Sequence, residues 1–123
     1  MAKVVGLGGV FFKADDPEKL GQWYKVWLEL PVEHPYGACL KHEQLPAGQY
    51  SVWSPFKKDT TYFAPSDQTF MINLIVDDLD GCLARVRESG ATVMPDVEDS
   101  EFGRFGWFVD PEGNKVELWQ PPA

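Results

Sequence analysis

An α+β fold of two tandem βαβββ modules is what the sequence predicts, and three observations carry that reading. Val10-Phe11-Phe12-Lys13-Ala14-Asp15-Asp16-Pro17 has a counterpart in Ile72-Asn73-Leu74-Ile75-Val76-Asp77-Asp78-Leu79. Each is an apolar run, a small or branched residue, an Asp-Asp pair and then a helical pattern. Val52-Trp53-Ser54-Pro55 is echoed by Leu118-Trp119-Gln120-Pro121, so the two halves open and close alike. Short β-rich runs punctuated by Gly and Pro fill the rest of each half. The expected organisation is one domain over residues 1–123, with module one at 1–54, a linker at 55–68 and module two at 69–123.

Within module one, residues 4–13 are rich in β-formers and read as a strand. Asp15-Asp16-Pro17-Glu18 starts a helix: a carboxylate caps free N–H groups, Pro suits the first turn, and Glu18 favours the positive end of the helix dipole. Leu20, Trp23, Tyr24, Trp27 and Leu28 then form one apolar stripe, and Pro31 helps to end the helix. Strands are expected at 31–35, 37–43 and 49–54, the last preceded by a Pro46-Ala47-Gly48 turn. The linker is polar and holds two prolines.

Module two repeats the order. Phe70–Val76 reads as a strand, and Asp77-Asp78 caps a helix whose stripe is Leu79, Cys82, Leu83 and Val86. Ser89-Gly90 closes it, with Gly90 suited to a left-handed cap. Strands follow at 91–97, 104–109 and 115–120, and Asp110-Pro111-Glu112-Gly113-Asn114 forms the tight turn between the last two.

Composition narrows the function classes. The chain has 123 residues, 44% of them apolar and 24% charged, as in ordinary folded domains. A net charge of −8 makes nucleic acid and anionic membranes poor partners, because the field has the wrong sign. A neutral or cationic small molecule is the expected partner. Eight Phe, five Trp and four Tyr exceed what a plain core needs, leaving rings for a pocket. Cys39 and Cys82 lack CxxC spacing and suggest no disulfide framework. The first ten residues lack the apolar centre of an export signal, and no apolar run nears the ~18 residues of a membrane helix. A cytoplasmic location is the expectation.

The run Gly103-Arg104-Phe105-Gly106-Trp107-Phe108-Val109-Asp110-Pro111-Glu112-Gly113-Asn114-Lys115-Val116-Glu117-Leu118 is an aromatic strand, an Asp-Pro-x-Gly-Asn turn and a Glu-Leu strand. With the paired βαβββ order, it resembles the vicinal oxygen chelate superfamily, the glyoxalase, bleomycin-resistance and extradiol-dioxygenase group. The resemblance spans nearly the whole chain. It implies a curled mixed sheet around a cleft, and a homodimer, since members commonly complete the cleft from two chains. In metal-dependent members, His on the first strand of each module and Glu or His on the last hold a divalent cation, which binds two substrate oxygens and stabilises an enolate. Carried over, those positions fall on Gly9, Ser51, Met71 and Glu117. Glycine has no donor, serine is a weak ligand, and a thioether prefers soft ions. The reading therefore assigns no metal ligands and expects no cofactor, a divalent metal being disfavoured.

Strand alternation turns Glu117 towards the cleft, as general base or as cation anchor; the plainer reading is an ancestral carboxylate paired with a nearby Lys or Arg. The same alternation sends Phe11, Trp53, Met71, Asn73 and Trp119 to that side, with Trp107 opposite Glu117 across the turn. This set makes an aromatic trough with one acid, suited to a flat or cationic ligand; the alternative is packing among themselves or against a second subunit. Arg104 is a candidate for a ligand carboxylate at the pocket mouth, or else a surface ion pair. His34 and His42 read as surface histidines, with His42 the substitute base or ligand if one exists. The leading functional expectation is small-organic-ligand binding in an aromatic cleft with an incomplete metal site. The alternatives are a metal-dependent lyase, isomerase or dioxygenase rebuilt around Glu117, a drug-sequestering resistance protein, and a domain whose cleft is only a dimer seam.

Overall fold

A computed structural model describes residues 7, 9–34 and 36–122. In chain order its elements are α1 (Pro17–Leu28), β1 (Val32–Glu33), β2 (Gly37–Ala38), a 3-10 turn (His42–Gln44), β3 (Ile72–Ile75), α2 (Leu79–Glu88), β4 (Thr92–Ser100), β5 (Gly103–Val109) and β6 (Lys115–Gln120). Both Asp-Asp pairs start helices. The Asp16 carboxylate accepts from the Lys19 N–H at 3.0 Å with Pro17 opening α1, and the Asp78 carboxylate accepts from the Gly81 N–H at 3.1 Å. Gly90, at φ +90°, follows the end of α2.

The second half forms its sheet in full, an open mixed sheet in the order β3-β6-β5-β4. β3 runs parallel to β6, and the other two pairings are antiparallel. Register slips in β4 between Val93 and Val97, where Pro95 supplies no N–H to the ladder. The first half departs from the tandem expectation. Residues 4–6 and 8 of its expected first strand lie outside the described residues, and residues 9–13 join no ladder. The strands expected at 31–35 and 37–43 shrink to the two-residue β1–β2 pair and the 3-10 turn, and 49–54 is unpaired backbone. Pro31, Pro35, Gly37, Pro46 and Gly48 crowd this stretch, removing ladder donors and raising the entropy lost on pairing.

Period-2 alternation gives the sheet two unlike faces. One carries Leu74, Gly106, Phe108, Val116 and Leu118 and is covered by Leu79, Leu83 and Val86 of α2 and by Leu20 and Tyr24 of α1. Phe108, Leu79, Leu118, Val86 and Val116 are essentially inaccessible, each worth about 1.5–3 kcal/mol of burial. Gly106 sets the spacing: a Cβ there would come within 2.8 Å of Leu83 Cδ1, so the bare backbone lets α2 seat closely. Arg85 adds an exposed ion pair to Glu29 at 2.9 Å between the helices, a small term beside this burial.

The turn between β5 and β6 fastens α1 to the sheet. Asp110 is buried; its Oδ1 accepts from the Glu112 and Asn114 backbone N–H groups, both at 2.9 Å, and its Oδ2 from Asn114 Nδ2 at 3.0 Å. Tyr24 Oη, on α1, donates to the same Oδ2 at 2.9 Å. From the same turn, the Glu112 carboxylate accepts from the N–H groups of Asp15 at 2.9 Å and Asp16 at 3.0 Å. Replacing Asp110 by Ala strands several buried donors, so Asp110→Ala is expected to cost about 3 kcal/mol and lower the melting temperature by about 10–15 °C. Asp110→Asn, which keeps an acceptor, is expected to cost less than half of that in the same calorimetric comparison.

A pH dependence follows from the same contact. Burial, then the Asp110 charge and hydrogen bond, push the Tyr24 phenol above the ordinary value of 10.0. The unfolded chain ionises this phenol near pH 10 while the folded chain keeps its proton. The group leaves stability untouched below that pH and erodes it as pH rises further. Urea midpoints at about pH 9 and about pH 11 should fall for the wild type, with a shallower fall in Tyr24→Phe.

Candidate functional site

The sheet face turned away from the helices carries the chemistry. Register sets Asn73 of β3, Glu117 of β6 and Trp107 of β5 side by side across three strands. Glu117 is only 8% exposed, and its carboxylate accepts three hydrogen bonds. Oε1 accepts from Asn73 Nδ2 at 2.7 Å; Oε2 accepts from Trp107 Nε1 at 2.9 Å and from Tyr62 Oη at 2.6 Å. Such charge-assisted bonds make a buried carboxylate tolerable.

Tyr62 comes from the 55–68 segment, which arches over this face. Its ring stacks on Phe56 (centroids 5.5 Å apart, planes 19°) and meets Trp107 edge-on at 6.1 Å. Lys115 Nζ donates to the Tyr62 carbonyl at 2.6 Å and sits 5.2 Å from the Tyr62 ring centre and 5.6 Å from that of Trp107. Burial, then the hydrogen bond and charge of Glu117, hold the Tyr62 phenol above the usual tyrosine range. Burial draws the Lys115 ammonium below its ordinary value, against the pull of Glu117. The site therefore presents one anion inside a shell of donors and rings.

Of the residues singled out in the sequence, Asn73, Trp107 and Glu117 come together. Met71 is half-buried just before β3. Trp119 is buried elsewhere on the same face: it stacks on Phe105 at 5.8 Å, donates to the Phe102 carbonyl at 2.7 Å, and lines a separate cleft of about 520 Å³ with Tyr50, Asp77, Glu101 and Phe102. Phe11, 96% exposed, and Trp53, 79% exposed, join neither group. Arg104 lies on the helix-covered face instead of the pocket mouth, donating from Nη1 and Nη2 to Asp80 at 3.1 and 3.2 Å and from Nε to Asp99 at 2.9 Å. Its even-numbered place on β5, beside Gly106 and Phe108, is the reason. His34 and His42 are exposed in turns. Tyr62, Phe56 and Lys115 were missed; alternation from Glu117 points to Lys115, but nothing local points to Tyr62.

The residues present do not fit a divalent cation. Gly9 and Ser51 are exposed and Met71 offers a thioether, and among the described residues no three His, Cys, Asp or Glu side chains gather in a metal-holding group. The donor chemistry is decisive, because three N–H and O–H groups aim their hydrogens at Glu117, where a metal would need free lone pairs.

The model of the glyoxalase-like domain family matches residues 9–119. The chain belongs to the glyoxalase-like family. The glyoxalase-like domain is similar in fold to the oxidase ChaP-H2, at 21% identity over 89% of this chain and 87% of that one, with a TM-score of 0.55. A protein of Agrobacterium tumefaciens is 19% identical over 89% of this chain and 92% of its own, with a TM-score of 0.52. TnmS3, an antibiotic-binding protein from Streptomyces sp. CB03234, is 34% identical over 44% of this chain, with a TM-score of 0.40; the match spans 45% of TnmS3. No curated protein matches the chain significantly. Among the described residues, no helix is long and apolar enough to cross a membrane.

Removing the carboxylate strands three donors at once. Glu117→Ala is expected to lower stability by about 2–4 kcal/mol, and Tyr62→Phe, which deletes one charge-assisted bond, by about 1.5–3 kcal/mol. Urea unfolding measures both, and the Trp107 indole N–H resonance should move in each variant.

Proposed function

We propose that this glyoxalase-like domain binds a small, flat organic ligand on the face carrying Asn73, Trp107 and Glu117, without a metal. The observation that carries the reading is the buried Glu117 carboxylate beside the Trp107 ring. A fixed acceptor next to an aromatic wall recognises a hydrogen-bond donor on an aromatic frame. The donor set around Glu117 speaks against the lyase, isomerase and dioxygenase alternatives that require a bound cation.

A second copy of the chain belongs to this proposal. Val10, Phe11, Leu40, Val52 and Trp53 are each more than half exposed, and all five stand in the first half, where the expected strands are unpaired. Exposed apolar surface concentrated in one region marks an association surface. Light scattering should show a dimer, and Trp53→Ala should shift the population towards monomer.

Tryptophan fluorescence tests the ligand proposal, with a panel of neutral and cationic bicyclic aromatics. Saturable quenching is expected for at least one compound, weakened at least tenfold in Glu117→Gln. Quenching by none of the panel, or equal affinity in the variant, would overturn the reading.

A further inference from the structure

The linker's hold on the sheet is unusually narrow. Among the described residues, only two hydrogen bonds join 55–68 to the sheet, and both pass through Tyr62: its hydroxyl to Glu117 Oε2 and its carbonyl from Lys115 Nζ. The remaining hydrogen bonds of this segment are local, such as Thr60 N–H to the Lys57 carbonyl and Ser66 N–H to the Phe63 carbonyl. Phe56 and Phe63 pack with Tyr62 inside the segment, with ring centres 5.5 and 6.4 Å from it. The segment is thus a self-contained strap with one side chain inserted into the site.

What that side chain meets defines a chemical class. Its hydroxyl donates to a buried carboxylate at 2.6 Å, its ring sits edge-on to Trp107 at 6.1 Å, and an ammonium lies 5.2 Å from the ring centre. Glu117, Trp107 and Lys115 all stand on the sheet, outside the strap. The carboxylate selects an O–H or N–H donor, and the Lys115 ammonium selects an electron-rich ring while opposing a cationic one. A neutral phenol satisfies all three.

We propose that Tyr62 occupies the ligand's own position, and that the ligand is a neutral phenolic aromatic which displaces the strap and places its hydroxyl on Glu117. This rests on the ligand-binding reading above and deepens it. Because Tyr62 is an internal competitor, the apparent affinity of the intact chain is lowered by the fraction of molecules in which the strap is seated.

The test uses the full chain and two probes, 2-naphthol and 2-methoxynaphthalene, whose hydroxyl is masked. Binding is followed at the Trp107 indole N–H in the wild type and in Tyr62→Ala. Tyr62→Phe keeps the ring, and serves as the competitor-weakened form if the alanine variant does not fold. The expected result is at least tenfold tighter 2-naphthol binding in Tyr62→Ala than in wild type, a smaller gain in Tyr62→Phe, and at least tenfold discrimination against 2-methoxynaphthalene. Equal affinity for the two probes, or no gain on removing Tyr62, overturns the phenol proposal; binding of other aromatics at the same indole would then leave the broader reading standing. No response of this indole to either naphthalene or to the fluorescence panel overturns both.

Discussion

The Asp110 carboxylate is the contact on which the arrangement of the two halves depends. One oxygen collects two backbone N–H groups of its own turn, and the other collects Asn114 and the Tyr24 hydroxyl of α1. A turn that would otherwise only reverse the chain therefore orients a helix from the far end of the sequence. Glu112 reinforces this by accepting from the first N–H groups before α1, an acid placed at the positive end of a helix dipole. With α1 so placed, Trp23 and Tyr24 reach Phe108, and both helices share the core of one sheet.

Glu117, on the strand that follows this turn, is the second buried carboxylate, and the two divide the labour by face. Asp110 belongs to the turn and the helix-covered side, while Glu117 stands among rings on the open side. Both are satisfied by N–H and O–H donors instead of by cationic side chains. For Glu117 this has a chemical consequence. Encircled by Asn73, Trp107 and Tyr62, this carboxylate accepts from N–H and O–H donors and is poorly suited to a cation. Lys115, on the same strand face, adds positive potential beside the Tyr62 and Trp107 rings.

Much of this was legible in the residues themselves. The helix starts at Asp16 and Asp78, the apolar stripes, the Asp110–Asn114 turn and the three strands that follow α2 are local signals, and each forms near its expected place. Membership of the glyoxalase-like family and the α+β class were readable because they rest on that local punctuation. That Asn73 and Glu117 share a face follows from alternation along their strands, whereas the register that sets Trp107 beside Glu117 came from the strand pairing itself.

Three outcomes belonged to the tertiary structure. The strands of the first half needed partners, which no propensity supplies, and the Pro- and Gly-rich 31–48 stretch stops its pairing after two residues. Arg104 went to Asp80 and Asp99 because an ion pair is chosen by what the opposite face presents. Tyr62 lies 55 residues before the carboxylate it binds, so its role follows from the path of the linker over the sheet. By itself the sequence determined the periodic and local features, because those depend on backbone geometry within a few residues. The contacts that set the site's chemistry were decided by folding, because they join side chains far apart in the chain.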